Sequence, residues 1–204
     1  MSAEWKQAAA ALLLAVTAGC TLAPQREAVD SYDLGPPAAR AASAPGFSAI
    51  LLVPEISAPA WLDGQGILYR LSYENEARPQ AYARSRWVAP PAALLTQRLR
   101  GGFAGVAGGI VTGADGARAH YALRVELEDF SQSFAAPGDS RVALRARASL
   151  VRLADRSLVA QRVFQVERAA PTADARGAVA ALRQAGDDFV GQALAWTSEH
   201  IGKK

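Results

Sequence analysis

The chain has 204 residues, the span of one ordinary domain. Half of it is hydrophobic and a fifth is charged, a globular balance, and 22 Lys and Arg against 19 Asp and Glu leave a net charge of only +3, too little for the concentrated basic face that nucleic acid requires. One Cys and two His, His120 and His200, exclude an internal disulfide framework and a Cys-based zinc site and leave little for a His-rich metal centre or a triad, so neither catalysis nor a resident cofactor is expected.

The N-terminus reads as a signal. Met1 to Gln7 is polar with one Lys, Ala8 to Val16 is uninterruptedly apolar, and Thr17-Ala18-Gly19 supplies small residues for cleavage. The apolar run is far shorter than the ~20 residues of a membrane-spanning helix. The lone Cys20 follows at once, which resembles the lipobox of bacterial lipoproteins. That pattern implies removal of residues 1–19, a diacylglyceryl group on the Cys20 thiol, and a further acyl chain, such as palmitate, on the new amine. Two or three acyl chains anchor a protein effectively permanently, where one binds only marginally. Thr21, where an Asp would retain a lipoprotein at the inner membrane, points to the periplasmic face of the outer membrane. An ordinary secretory signal with Cys20 as a stray thiol is the alternative.

Cys20 to Ser31 reads as the lipidated residue and a short polar tether, with a single domain over residues 32–204. Gly35 to Gly46 has the Pro, Ala, Ser and Gly composition of a spacer. Phe47 to Ile56 is continuously apolar and predicts a central strand buried on both faces. Ile67, Tyr69, Leu71 and Tyr73 alternate with Leu68, Arg70 and Ser72, and Gln80 to Trp87 can return as a hairpin partner. Pro90-Pro91 opens a helix whose Leu95, Leu99 and Phe103 share a face, and Gly101-Gly102 is expected to end or fray it. Ile110-Val111 predicts a short strand. Tyr121, Leu123, Val125 and Leu127 face Val142, Leu144, Ala146, Ala148 and Leu150 across a turn at Pro137-Gly138-Asp139. That register sets Glu126 opposite Arg147 and Glu128 opposite Arg145. Ala154-Asp155-Arg156 turns into a further strand, Ser157 to Glu167. Thr172 and Asp174 cap a long last helix with a stripe of Val179, Leu182, Phe189, Ala193 and Trp196. The sum is one mixed α/β domain, a five- to six-stranded mixed sheet covered by two main helices.

Several of these segments also form an ordered set: Tyr32-Asp33-Leu34-Gly35; Ala58-Pro59-Ala60-Trp61-Leu62-Asp63-Gly64 running into Ile67-Leu68-Tyr69-Arg70; Tyr82-Ala83 and Arg86-Trp87; Leu94-Leu95 with Arg98-Leu99; Leu123 to Leu127 with Phe130-Ser131-Gln132 and Phe134; Thr172-Ala173-Asp174; and Trp196. The set, from Tyr32 to Trp196, resembles the ABC-type transport auxiliary lipoproteins, the family of the lipoprotein of the paraquat-inducible membrane transport system. The resemblance implies a mixed sheet with helices in an anticodon-binding-like arrangement. It also implies a role beside an ATPase, a permease and an MCE-domain protein in moving lipids or other hydrophobic molecules between two membranes. The partners implied are that MCE-domain protein and, through the lipid anchor, the outer membrane; a homo-oligomer is left open.

Trp61, Leu62 and Tyr69 are the candidate partner contacts, since Trp in an exposed turn suits an interface hot spot. A loop folded back to cap the core is the other reading of Trp61-Leu62, and Arg70 beside Tyr69 reads equally as a solvated strand charge. Tyr82 and Trp87 flank Arg84 and Arg86, but a periplasmic address disfavours stacking on nucleic acid. Gly101 to Gly113 lacks the Lys-Ser or Lys-Thr of a phosphate loop, and no Gly-x-Ser-x-Gly elbow is present. A lipid-binding carrier or chaperone lipoprotein and an envelope-assembly lipoprotein remain the competing functions.

Overall fold

The structure, a computed structural model, describes residues 28–37 and 45–201, so the signal, Cys20 and most of the tether lie outside the described residues. Its organising element is a long antiparallel meander. Strand β6 (Tyr121–Ala136) turns into β7 (Asp139–Arg152), which turns into β8 (Leu158–Ala169). The alternation in the sequence is why these strands are long. Leu123, Val125, Leu127, Val142, Leu144, Ala146, Ala148 and Leu150 all fall on one buried face, while Arg124, Glu126, Arg145 and Arg147 stay exposed.

The other edge of β6 carries two wings side by side. Against its first residues, Tyr121 and Ala122, lies parallel β2 (Phe47–Leu52), itself paired with parallel β5 (Ala107–Val111). Against Ser131 to Phe134 lies parallel β3 (Gly66–Leu71), followed by antiparallel β4 (Gln80–Trp87) and then β1 (Asp30–Tyr32), which runs parallel to β4. All eight strands form one mixed sheet, more than the five or six expected. The member that no sequence pattern announced is the three-residue β1.

Helix α1 (Ser72–Asn75) is a single turn after β3, so the expected strand to Tyr73 stops at Leu71. Helix α2 (Pro91–Ala104) starts at Pro91, where a missing N–H costs nothing. Helix α3 (Ala175–Ile201) is the 27-residue cover of the meander. Asp174 Oδ1 accepts the Gly177 N–H at 2.8 Å, and Thr172 Oγ1 donates to the same carboxylate at 2.7 Å, the cap the sequence predicts. Leu95, Leu99, Phe103, Leu182 and Phe189 are fully buried between helices and sheet, each stabilising the fold by about 1.5–3 kcal/mol. Trp196 is buried too, edge-on to Phe164 at 5.8 Å.

Four expectations are corrected. The strand from Phe47 ends at Leu52 and is largely half-buried, because Pro54 cannot donate to a ladder; Val53 and Ile56 are buried beyond its end. Gly101-Gly102 does not end α2, which runs to Ala104; Gly102 is there because a Cβ would meet Val190 Cγ1 of α3 at 2.6 Å. Glu128 is not opposite Arg145. A bulge inserts Glu128 between Leu127, opposite Ala146, and Asp129, opposite Arg145. The extra residue reverses the alternation, so that Phe130 and Phe134 join the core that Leu123 and Leu127 occupy. Val179 is half-buried, and Ala178, Ala181 and Ala185 carry the buried stripe in its place.

Candidate functional site

The turn after β2 presents the first candidate. Ser57 bridges to Glu126 of β6, and Leu62 N–H donates to the Pro59 carbonyl at 2.8 Å, closing a tight turn. That turn points its two large side chains in opposite directions. Leu62 is 1% exposed and belongs to the core; Trp61 is 43% exposed. The Arg70 guanidinium lies 5.2 Å from the Trp61 ring centroid, a cation–π contact, and also donates to the Glu76 carbonyl at 3.1 Å. The two neighbours therefore part: Leu62 caps the core and Trp61 faces outward.

Tyr69 lies on the opposite face of β3, in an aromatic cluster with Tyr82 (4.6 Å) and Phe134 (5.9 Å). Its hydroxyl donates to Gln80 Oε1 at 3.2 Å. The Tyr82 hydroxyl donates to Gln132 Oε1 at 2.6 Å, and Gln132 Nε2 donates to Ser140 Oγ at 2.8 Å. Gln132 is fully buried, so this chain satisfies a polar group that would otherwise cost several kcal/mol in the core. Burial, with Asp174 and Tyr69 nearby, pushes the Tyr82 phenol up to about 12. On the outer face, burial raises the Asp129 carboxyl above its ordinary value, against the opposing pull of a Ser131 hydroxyl bond and of Arg70.

Sequence reasoning missed a third arrangement. Arg98 of α2 is buried and reaches three acceptors: the Leu34 and Gly35 carbonyls, each at 2.5 Å, and the Asp187 carboxylate of α3. Arg183 of α3 adds a bond to the Pro36 carbonyl at 3.3 Å. The segment after β1 is thus fastened at Leu34–Pro36 across both helices, at the start of the stretch read as a loop or spacer, of which residues 38–44 lie outside the described residues. Gly35 has φ +62°, a conformation that a side chain would strain. The expected tether is shorter than its composition suggests, since Asp30 and Ser31 already pair with Ser85 and Arg86. The signal for the clasp was present in Leu34-Gly35 and Arg98-Leu99, but a helix Arg carries no mark that it turns inward.

The two His are structural. His120 Nδ1 accepts the Ile50 N–H at 2.9 Å, and His200 Nδ1 donates to the Trp196 carbonyl at 2.7 Å. Among the described residues no group of three His, Cys, Asp or Glu gathers to hold a metal, and no helix is long and apolar enough to cross a membrane. A groove of about 320 Å3 lies between β1, β4 and the start of α3, edged by Asp30, Arg84, Asp174 and Arg176.

Residues 32–193 match the family of ABC-type transport auxiliary lipoprotein components. The chain belongs to that family. No curated protein matches it. Protein XCC0632 from Xanthomonas campestris has a similar fold, with a TM-score of 0.74 at 23% identity over 84% of this chain and 96% of that one. An uncharacterized protein of known crystal structure is similar with a TM-score of 0.64 at 17% identity, over 84% of this chain and 99% of that one. At these identities the likeness speaks for the fold alone. The family match makes this a lipoprotein and a transport auxiliary component.

Proposed function

We propose that this lipoprotein is the non-catalytic auxiliary of an MCE-type ABC transport system. It is anchored through Cys20 to the periplasmic face of the outer membrane and serves the movement of lipids or other hydrophobic molecules between the two membranes. The family match over residues 32–193 is the observation that carries this reading. The Ala8–Val16 run followed by Thr17-Ala18-Gly19-Cys20 supports the anchor. Binding to the MCE partner, rather than turnover, is the task the domain is built for. Trp61 is the exposed aromatic anchor for that contact, braced by Arg70. Tyr69 is half-buried in the aromatic cluster and supports the sheet end from beneath.

A carrier that encloses a lipid chain needs an apolar cavity of several hundred Å3. Among the described residues, the groove beside α3 is edged by charged groups, a lining that does not suit an acyl chain.

The test is a pull-down of the periplasmic part of the cognate MCE protein by the chain from residue 28 onward, keeping β1, alongside the full lipidated form. Binding at micromolar concentration is expected, weakened by Trp61→Ala. No binding by either form overturns the reading in favour of the lipid carrier.

A further inference from the structure

The strand directions fix where the anchor enters the domain. β6 runs toward the β6–β7 turn, β3 runs parallel to β6, β4 antiparallel to β3, and β1 parallel to β4. β1 therefore runs away from the turn, and the chain enters β1 from the turn's end of the sheet. Ala28 there lines one groove with Asp174, Ala175 and Arg176, at the start of α3. The same end carries the β8–α3 loop, where Ala170 N–H bonds the Ser140 carbonyl at 3.0 Å, and α1, whose Ser72 Oγ lies 2.7 Å from Ser133 Oγ.

We infer that this end of the domain rests on the lipid surface of the membrane that holds the anchor, with the opposite end turned away from it. The inference rests on the lipidation of Cys20 proposed above. Three observations carry it. The first is reach. Eight residue steps lead from Cys20 to Ala28, at most about 28 Å of extended chain. Ser31 is level with Arg86 and Gly66, and Leu68 with Ser131, so Ala28 stands near the level of Ser131. Tyr121, at the far end of β6, lies a further ~33 Å away, and the Ala154 turn lies beyond it. The tether is too short for the domain to stand on its far end.

The second is chemistry. Ala135, Ala136, Pro137 and Gly138 form an exposed, uncharged tip, and Tyr73 of α1 is 45% exposed beside it. An amphipathic Tyr next to small apolar residues is suited to the boundary between headgroup and acyl chain. The third is charge. Exposed Arg78 and Arg176 share this end with exposed Glu74, Glu76 and Asp139, and Arg141 there pairs with Glu167, so the end carries no surplus of positive charge and the contact rests on apolar surface and the anchor rather than on attraction to anionic lipid.

The test uses the full lipidated chain in vesicles of phosphatidylethanolamine and phosphatidylglycerol. Thioether formation consumes the sulfur of Cys20, so an introduced Cys is the sole free thiol. A fluorophore is placed at Ala136→Cys or at Ala154→Cys, both exposed, and quenched with a spin-labelled phospholipid. Quenching several-fold stronger at 136 than at 154, unchanged by high salt, is the expected result. Floating protein with equal quenching at the two positions, or more at 154, overturns the orientation alone. A chain that fails to float with the vesicles has no anchor at Cys20; that result overturns the anchored reading and this inference with it.

Discussion

Arg98 donates to the carbonyl of Gly35 at 2.5 Å across 63 residues of chain. The same guanidinium pairs with Asp187 and bonds the Leu34 carbonyl, so one side chain joins α2, α3 and the segment leading out of β1. Two stretches of the family pattern, Tyr32-Asp33-Leu34-Gly35 and Arg98-Leu99, meet physically at this point.

Removing that guanidinium takes the charged partner from the half-buried Asp187 carboxylate and the donor from two carbonyls. Arg98→Leu should lower the unfolding free energy by about 3–5 kcal/mol, the cost of breaking a buried pair from one side. Arg98→Lys should recover only part of it, because an ammonium cannot present the planar fork. Urea denaturation of the chain from residue 28 checks both; an unchanged midpoint for Arg98→Leu would show that the clasp contributes nothing.

The contact of α2 with α3 depends on an absent methyl group. A Cβ on Gly102 would lie 2.6 Å from Val190 Cγ1. Gly102→Ala should therefore destabilise by ~1–3 kcal/mol despite its better helix propensity. Val190→Ala in the same chain should cost less than the two single changes added together, since it vacates the space. Thermal melts of the two single variants and the double variant measure this coupling.

Tyr82 gives the fold an alkaline limit. Its pKa is raised in the folded state, from 10.0 to about 12, so the unfolded chain loses this proton first. The stabilising contribution is whole below pH 10 and is lost as the pH rises through 12. Spectrophotometric titration of the tyrosines should show a late phase that disappears in Tyr82→Phe. A titration completed near pH 10 in the native protein would contradict the burial described.

Trp61 and Leu62 should separate under mutation. Leu62→Ala removes a core side chain and should cost about 2–5 kcal/mol. Trp61→Ala gives up an exposed cation–π contact of ~0.5–1 kcal/mol and should leave the melting temperature nearly unchanged while weakening capture of the proposed MCE partner. Equal stability losses for the two would place Trp61 in the core after all.

The antiparallel part of the fold was legible because an antiparallel sheet buried on one face writes its register as alternation. Glu126 does stand opposite Arg147. The bulge at Glu128 was not legible in that way: it is visible only where Leu127 and Phe130 break the two-residue period, and Glu128 still bonds Arg145 at 2.6 Å, as a regular ladder would have it. Parallel pairings left no local trace, since β2 meets β6 about seventy residues later and no turn joins them. The glycines were ambiguous for a similar reason. Gly102 as a helix end and Gly102 as a seat for Val190 look alike until the second helix is in place. At the candidate site, the exposure of Trp61 and the burial of Leu62 hinge on a single turn, and neighbouring residues of like hydrophobicity carry no sign of which one points inward.

The clasp at Leu34–Pro36 also has a mechanical consequence. Tension on the lipid anchor enters the domain at Ala28 and pulls β1 back along its own axis, in shear against β4, so the ladder between Asp30–Tyr32 and Ser85–Trp87 is loaded all at once rather than peeled bond by bond. Behind that short ladder, the Arg98 and Arg183 bonds to the Leu34, Gly35 and Pro36 carbonyls pass the remaining load directly into α2 and α3. A pull on the membrane side is thus delivered to the two helices before it reaches the meander they cover.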